Sequence, residues 1–356
     1  MSACRHSDLR FDFQVVLKNV RRDPSLAAQI TSSILSNFDK MKQVRYHYRE
    51  IKKEKETMSG TIFDLIDKRV VLFDGGMGTE LIKHGFSQGE CPEKWNVEHP
   101  DIVARIHADY FAAGSDAVLT NSFGGSRIKL SAFGLEDRCF ELNKEAASIA
   151  VRVRPRGGFI GGSMGPTGKF LQPMGPLTED EVEEAYAVQA KGLDEGGVDF
   201  LIIETQYDIQ EALCALRAAR RASRKPVFVT MTFNRTAKGY FTVMGNGVAD
   251  FCDRMEQQEV QAVGANCTLD SSEIVPLVSE ICNRVHVPVI VQANAGQPSL
   301  DDQGRVSYGQ SVEEYVRHVG DMIRSGARII GGCCGTDASY IAAMAEIVKK
   351  ASIKEF

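Results

Sequence analysis

Gly331-Gly332-Cys333-Cys334-Gly335 sets two adjacent thiols between glycines, and Cys267, in Gly264-Ala265-Asn266-Cys267, lies 66 residues upstream. Each group follows a short apolar run that reads as a strand. Three thiolates gathered from two strand ends make the soft ligand set that zinc prefers, with the fourth tetrahedral position open. An open position marks a catalytic zinc rather than a structural one. Consecutive strand residues point to opposite faces, so Cys333 and Cys334 share one ion only if the strand ends there. The flanking glycines permit such a turn. Packed core cysteines or a vicinal disulfide are the alternatives; Cys267 on the same rim and the paired glycines favour the metal.

A second group comprises Asp74, in Asp74-Gly75-Gly76-Met77-Gly78-Thr79-Glu80, and Glu204, which precedes Thr205. Two carboxylates at one rim hold an ammonium group, and the backbone N–H groups of Gly75 through Gly78 suit a carboxylate. Together they fit a free α-amino acid. The alternatives are a turn aspartate before glycine, which is common, and a solvated loop glutamate. Asn294, at another strand end, offers an oxygen for the open zinc position when substrate is absent. His107 and Trp95 have no metal-ligand partner at a telling spacing. His107 reads as a packing or surface histidine.

Eight apolar runs must position these groups: Val70–Phe73, Ala117–Thr120, Phe159–Gly162, Phe200–Glu204, Val227–Thr232, Ala262–Ala265, Val289–Gln292 and Ile329–Gly331. Their lack of polar alternation suits parallel strands buried on both faces. Helix signals lie between them. Thr178 through Glu181 and Ser311 through Glu314 have the spacing of capping boxes. Gly114, Gly197 and Gly326 stand where left-handed C-caps belong. Eight strand-then-helix repeats predict a (β/α)8 TIM barrel, with the site at the C-terminal strand ends; an open doubly wound sheet is the alternative. Polar, acidic and thiol groups gather at those ends.

The chain has 356 residues, 43% hydrophobic and 25% charged, as in an ordinary globular protein. No apolar run approaches the roughly 20 residues of a membrane span, and no secretory signal pattern opens the sequence. Nine cysteines form no visible disulfide framework, which suits a reduced, cytoplasmic setting. Residues 1–57 carry 12 Lys/Arg against 7 Asp/Glu; the remainder carries 30 against 40, a net of -10, which disfavours nucleic acid as a partner. We expect 1–57 to be a separable basic extension and 58–356 the barrel. The run Lys52-Lys53-Glu54-Lys55-Glu56 has purine-only codons, as a translated ribosome-binding site would, which makes Met58 a candidate start. A basic helical appendage from Pro24 to Lys55 is the other reading.

The four motifs around Asp74, Glu204, Cys267 and Cys333-Cys334, in that order across about residues 62–350, resemble the zinc-dependent homocysteine S-methyltransferase family. Thr120-Asn121-Ser122-Phe123-Gly124 and Gly165-Pro166-Thr167-Gly168 are most similar to the homocysteine-binding module of cobalamin-dependent methionine synthase. The resemblance implies Cys267, Cys333 and Cys334 as zinc ligands, Asp74 and Glu204 at the homocysteine amino group, and activation of homocysteine as a zinc thiolate. No folate or cobalamin-binding signature is present in the sequence. The expected donor is therefore methylcobalamin on a separate corrinoid protein. S-methylmethionine or another small donor is the runner-up, another thiol or a selenol an alternative acceptor, and a non-catalytic zinc-binding barrel a different class. A phosphate-binding lyase or aldolase would need a strand-end lysine, which the sequence lacks.

Overall fold

The computed structural model describes residues 60–87, 89–300 and 306–351. The chain parts into Met1–Ser59 and Gly60–Phe356, and the described residues all belong to the second unit. The basic extension, its helix from Pro24 to Lys55 and Met58 as a start lie outside the described residues.

Every apolar run expected to be a strand is one. The strands are β1 (Val71–Leu72), β2 (Ala117–Leu119), β3 (Phe159–Met164), β4 (Phe200–Gln206), β5 (Val227–Met231), β6 (Ala262–Asp270), β7 (Val289–Asn294) and β8 (Ala327–Gly332). They are all parallel, in the order β1-β8-β7-β6-β5-β4-β3-β2. A parallel bridge between Phe73 and Ala117 joins β2 back to β1. With helices between the strands, this is a (β/α)8 barrel.

Inward side chains fill the barrel, among them Val71, Phe73, Leu119, Ile202, Ile290 and Ile329. Phe200 stacks between Phe73 and Phe228, at centroid distances of 5.5 and 4.6 Å. Gly161 makes room for it: a Cβ there would lie 2.5 Å from the Phe200 ring. Before β1, the short helix Ile62–Ile66 starts on a Thr61–Asp64 capping box and buries Ile62 and Ile66 in the same cluster. Its Phe63 meets Phe228 edge-on at 5.9 Å.

The expected capping boxes open the helices Glu179–Gly196 and Val312–Val316. Gly114, Gly197 and Gly326 take φ of 111°, 97° and 106°, the left-handed backbone that ends a helix. Two antiparallel hairpins are additional: Asn234–Thr236 with Gly239–Phe241 after β5, and Pro298–Leu300 with Val306–Tyr308 after β7. Their strands are three residues long, too short for an alternating apolar pattern to register. Among the described residues, no helix is long and apolar enough to cross a membrane.

Candidate active site

The thiols sit where strand geometry fails. At the end of β6, Cys267 and Thr268 both have left-handed backbone, with φ of 63° and 60°, and the register with β7 slips between Asn266 and Asp270. Two non-glycine residues in that region cost about 1–3 kcal/mol each, a strain that concentrates at functional sites. β8 ends at Gly332, so Cys333 and Cys334 lie beyond the pleat. The Cys333 N–H still reaches Ala293 O at 2.8 Å, while the Cys334 N–H turns to Asn294 Oδ1 at 3.2 Å. The turn is closed by Thr336 Oγ1 donating to Cys333 O at 2.7 Å. Gly332 has no space for a side chain, since a Cβ would lie 2.2 Å from Thr336 Oγ1.

The three sulfurs lie within 4.8 Å of one another. Cys267 Sγ and Cys334 Sγ are 3.8 Å apart. Tetrahedral zinc with Zn–S bonds of about 2.3 Å sets its sulfurs about 3.8 Å apart, so the donor set fits zinc in type and spacing. The charges agree. The thiols share their protons, and hydrogen bonding within the group holds Cys267 well below the usual thiol range. Donating to Cys267 pushes Cys334 up to about 12 and raises Cys333 as well. A bound dication would let all three thiols ionise.

Both carboxylates are buried on the same rim, Asp74 at 1% and Glu204 at 8% exposure. Asp74 Oδ2 accepts the Leu119 N–H at 2.8 Å, and Oδ1 has no partner. Burial, and the Glu204 charge with it, pushes Asp74 well above the usual carboxylate range. Burial also pushes Glu204 up to about 7, against the hydrogen bond from Ser163 Oγ. A buried carboxylate oxygen without a partner, near a second carboxylate, is a place for a cationic donor.

Sequence reasoning left Asn266 without a role, although it adjoins Cys267. Its Nδ2 reaches Glu204 Oε2 at 3.5 Å and Cys333 Sγ at 3.9 Å, so it stands between the acidic and thiol groups. Thr230 Oγ1 donates to its Oδ1 at 2.8 Å. Asn294 is buried beside the thiols, its Oδ1 taken by the Cys334 N–H. The expectation for Gly76 needs correction: its N–H donates to Thr336 O at 3.0 Å and is not free for a ligand. Both glycines also allow close packing, since a Cβ on Gly75 or Gly76 would lie within 2.9 Å of Thr336 or Thr79 side-chain oxygen. His107 is fully buried with both ring nitrogens unpartnered, and Trp95 packs between Phe86 and His99. A further group, Glu179, Glu183 and Cys214, is filled by Arg217, which bonds Glu183 at 2.5 Å and Glu179 at 2.7 Å.

The model of the homocysteine S-methyltransferase family matches residues 71–348. Methionine synthase of Mycobacterium tuberculosis is 30% identical over 83% of this chain and 26% of its own length. That of Mycobacterium leprae is 29% identical over 81% and 25%. The chain thus spans about a quarter of these relatives. Among solved structures, the homocysteine methyltransferase MmuM from Escherichia coli superposes in its metallated form with a TM-score of 0.67, over 80% of this chain and 98% of that one. Its oxidized form gives 0.68, over 81% and 100%. At 22% identity this likeness speaks for the fold. With the family match running from β1 into the last helix, the chain belongs to the homocysteine S-methyltransferase family.

Proposed function

We propose that the chain methylates homocysteine to methionine, using zinc on Cys267, Cys333 and Cys334 and a methyl group from methylcobalamin on a separate corrinoid protein. One observation carries the reading: three thiols converge within 4.8 Å on the rim that also holds the unpartnered Asp74 oxygen. Bound there, zinc would keep the acceptor sulfur a thiolate at neutral pH, where a free thiol, with pKa about 8.5, is mostly protonated.

The chain's own residues supply the rest. Asp74 and Glu204 take the substrate ammonium, Asp74 through the oxygen that Leu119 leaves free. Ser163 and Asn266 orient Glu204. Fixing the amino end aligns the sulfur for in-line attack on the methyl carbon, which lowers the barrier mainly through orientation. The thiol proton leaves to solvent, and no side chain is required as a general base.

The rim supports a macromolecular donor. Five of the seven exposed large apolar side chains among the described residues follow barrel strands: Phe123, Phe170, Met174, Val243 and Val306. Loops 120–126, 165–178 and 232–247 contain no acid, while exposing Lys169, Arg235 and Lys238. These three loops, apolar and basic on an acidic barrel, suit an acidic carrier domain.

The test supplies L-homocysteine with methylcobalamin, free or on a corrinoid protein, or with S-methylmethionine, and measures methionine. Methylcobalamin should serve, and serve faster on its carrier. Joint Arg235→Glu and Lys238→Glu changes should slow the carrier-borne reaction alone. Turnover with S-methylmethionine and none with any methylcorrinoid would replace this reading with a small-donor enzyme. Homocysteine binding without turnover on any donor would leave a non-catalytic barrel.

A further inference from the structure

Gln292 lies near the end of β7 and faces the barrel interior. Ile290, two residues earlier, belongs to the interior cluster, and residues i and i+2 of a strand share a face. Across the sheet, Gln292 pairs with Asn266 of β6 on one side and with Gly331 of β8 on the other. Asn266 turns its side chain to Glu204, Thr205 and Cys333. Gln292 is thus on the side of the sheet that carries the site, and it is buried at 3% exposure.

Gly331 brings Gln292 close to Asp74. A Cβ on Gly331 would stand 3.2 Å from Gln292 Cγ, 3.0 Å from Asp74 O and 2.9 Å from Phe73 Cβ. Gln292 and Asp74 therefore border one point on β8, which only glycine leaves free. From there the amide reaches the Gly332–Cys333 peptide, where Nε2 donates to Gly332 O at 3.3 Å. That bond fixes the orientation of the amide, because a carbonyl accepts only from its NH2 end. Oε1 is left buried and without a partner, as Asp74 Oδ1 is. Buried acceptors are nearly always bonded, so two orphans beside one another call for a missing donor.

We propose that Gln292 is a substrate-binding residue, whose Oε1 accepts one N–H of the homocysteine ammonium alongside Asp74 and Glu204. The proposal rests on the homocysteine reading above. An ammonium carries three N–H donors, and the two carboxylates and the amide give it three separate acceptors. The third is best neutral. Two buried carboxylates already face one cation, and another charge beside them would be repelled by both.

The experiment compares the full chain with its Gln292→Met variant, which keeps the length and bulk of the side chain and loses the amide. Two ligands are titrated by calorimetry: L-homocysteine, and 4-mercaptobutanoate, which has the same thiol and carboxylate but no amine. The variant should keep the metal content of the wild type. It should bind homocysteine roughly 10- to 150-fold more weakly, as loss of a bond to a charged group implies. Its affinity for 4-mercaptobutanoate should not change. Equal losses for the two ligands would mean that Gln292 only shapes the site, and an unchanged affinity for homocysteine would leave Oε1 without a part in it; either overturns the proposal. Gln292→Leu replaces the methionine variant should that one melt early. Wild-type protein that binds homocysteine no better than 4-mercaptobutanoate would instead sink the ammonium site of Asp74 and Glu204 itself.

Discussion

Thr205 and Asn266 hold each other twice. The Thr205 N–H donates to Asn266 Oδ1 at 3.0 Å, and Asn266 Nδ2 donates back to Thr205 Oγ1 at 2.7 Å. Thr205 has φ of 57°, and β4 slips register with β5 beside it. The pair therefore fastens the irregular end of the carboxylate strand to that of the thiol strand. Asn266→Ala should keep the fold yet weaken both zinc and homocysteine, by roughly the 10- to 100-fold typical of such supporting contacts. Calorimetry with each ligand checks this; a loss confined to one ligand would mean that Asn266 does not couple the two.

The two halves of the site should fail separately when their own groups are changed. Cys333→Ala should lose most of the one zinc per chain that three thiolates predict, measured by metal analysis after dialysis. Glu204→Gln should keep its zinc and bind homocysteine about 10- to 150-fold more weakly, as loss of a charge-assisted bond worth about 1.5–3 kcal/mol implies. Stoichiometric zinc in the cysteine variant, or unchanged affinity in the glutamine variant, would remove that residue from its role.

His107 gives a pH prediction. Burial lowers its pKa from 6.5 to about 4. Unfolded chain thus takes up a proton below pH 6.5 that the folded chain refuses until about pH 4. The stabilisation from keeping this ring neutral is complete above pH 6.5 and is lost as pH falls toward 4, in total about 3 kcal/mol. The raised carboxylates Asp74 and Glu204 work in the opposite direction, so the effect is read as a difference. Denaturation of wild type and His107→Leu from pH 7 to 4.5 should show the wild type losing more stability. Parallel curves would place the ring's proton elsewhere.

A chain beginning at Met58 should fold and keep its activity, because the first described packing is the capped helix at Ile62. Starting at Arg69 instead removes Ile62 and Ile66 from the barrel interior. Buried isoleucine truncations cost about 2–5 kcal/mol each, so melting should fall steeply. An inactive chain from Met58 would assign residues 1–57 to the working enzyme.

The barrel was legible because its strands are buried on both faces and so read as unbroken apolar runs, as in Phe200–Ile203 and Val289–Val291. The thiols and carboxylates were legible because they follow those runs directly. Asn266 was not: an asparagine beside a cysteine has no pattern of its own, and its bonds to Glu204 and Thr205 span 62 and 61 residues. Gln292 was legible only as the end of an apolar run; that its carbonyl lacks a donor depends on Gly332, 40 residues away. Gly76 misled because glycine before a helix suits either ligand contact or tight packing, and only the Thr336 acceptor decides between them.

Closure of the barrel orders the site in time. The carboxylates come from β1 and β4, the thiols from the ends of β6 and β8, and β1 pairs directly with β8. A nascent chain released as far as Cys267 has both acids and a single thiol. Its remaining two ligands emerge only with the last strand, which also seals the first. The three thiols thus come together only once the ring is joined, so a cation held by all three would report its closure.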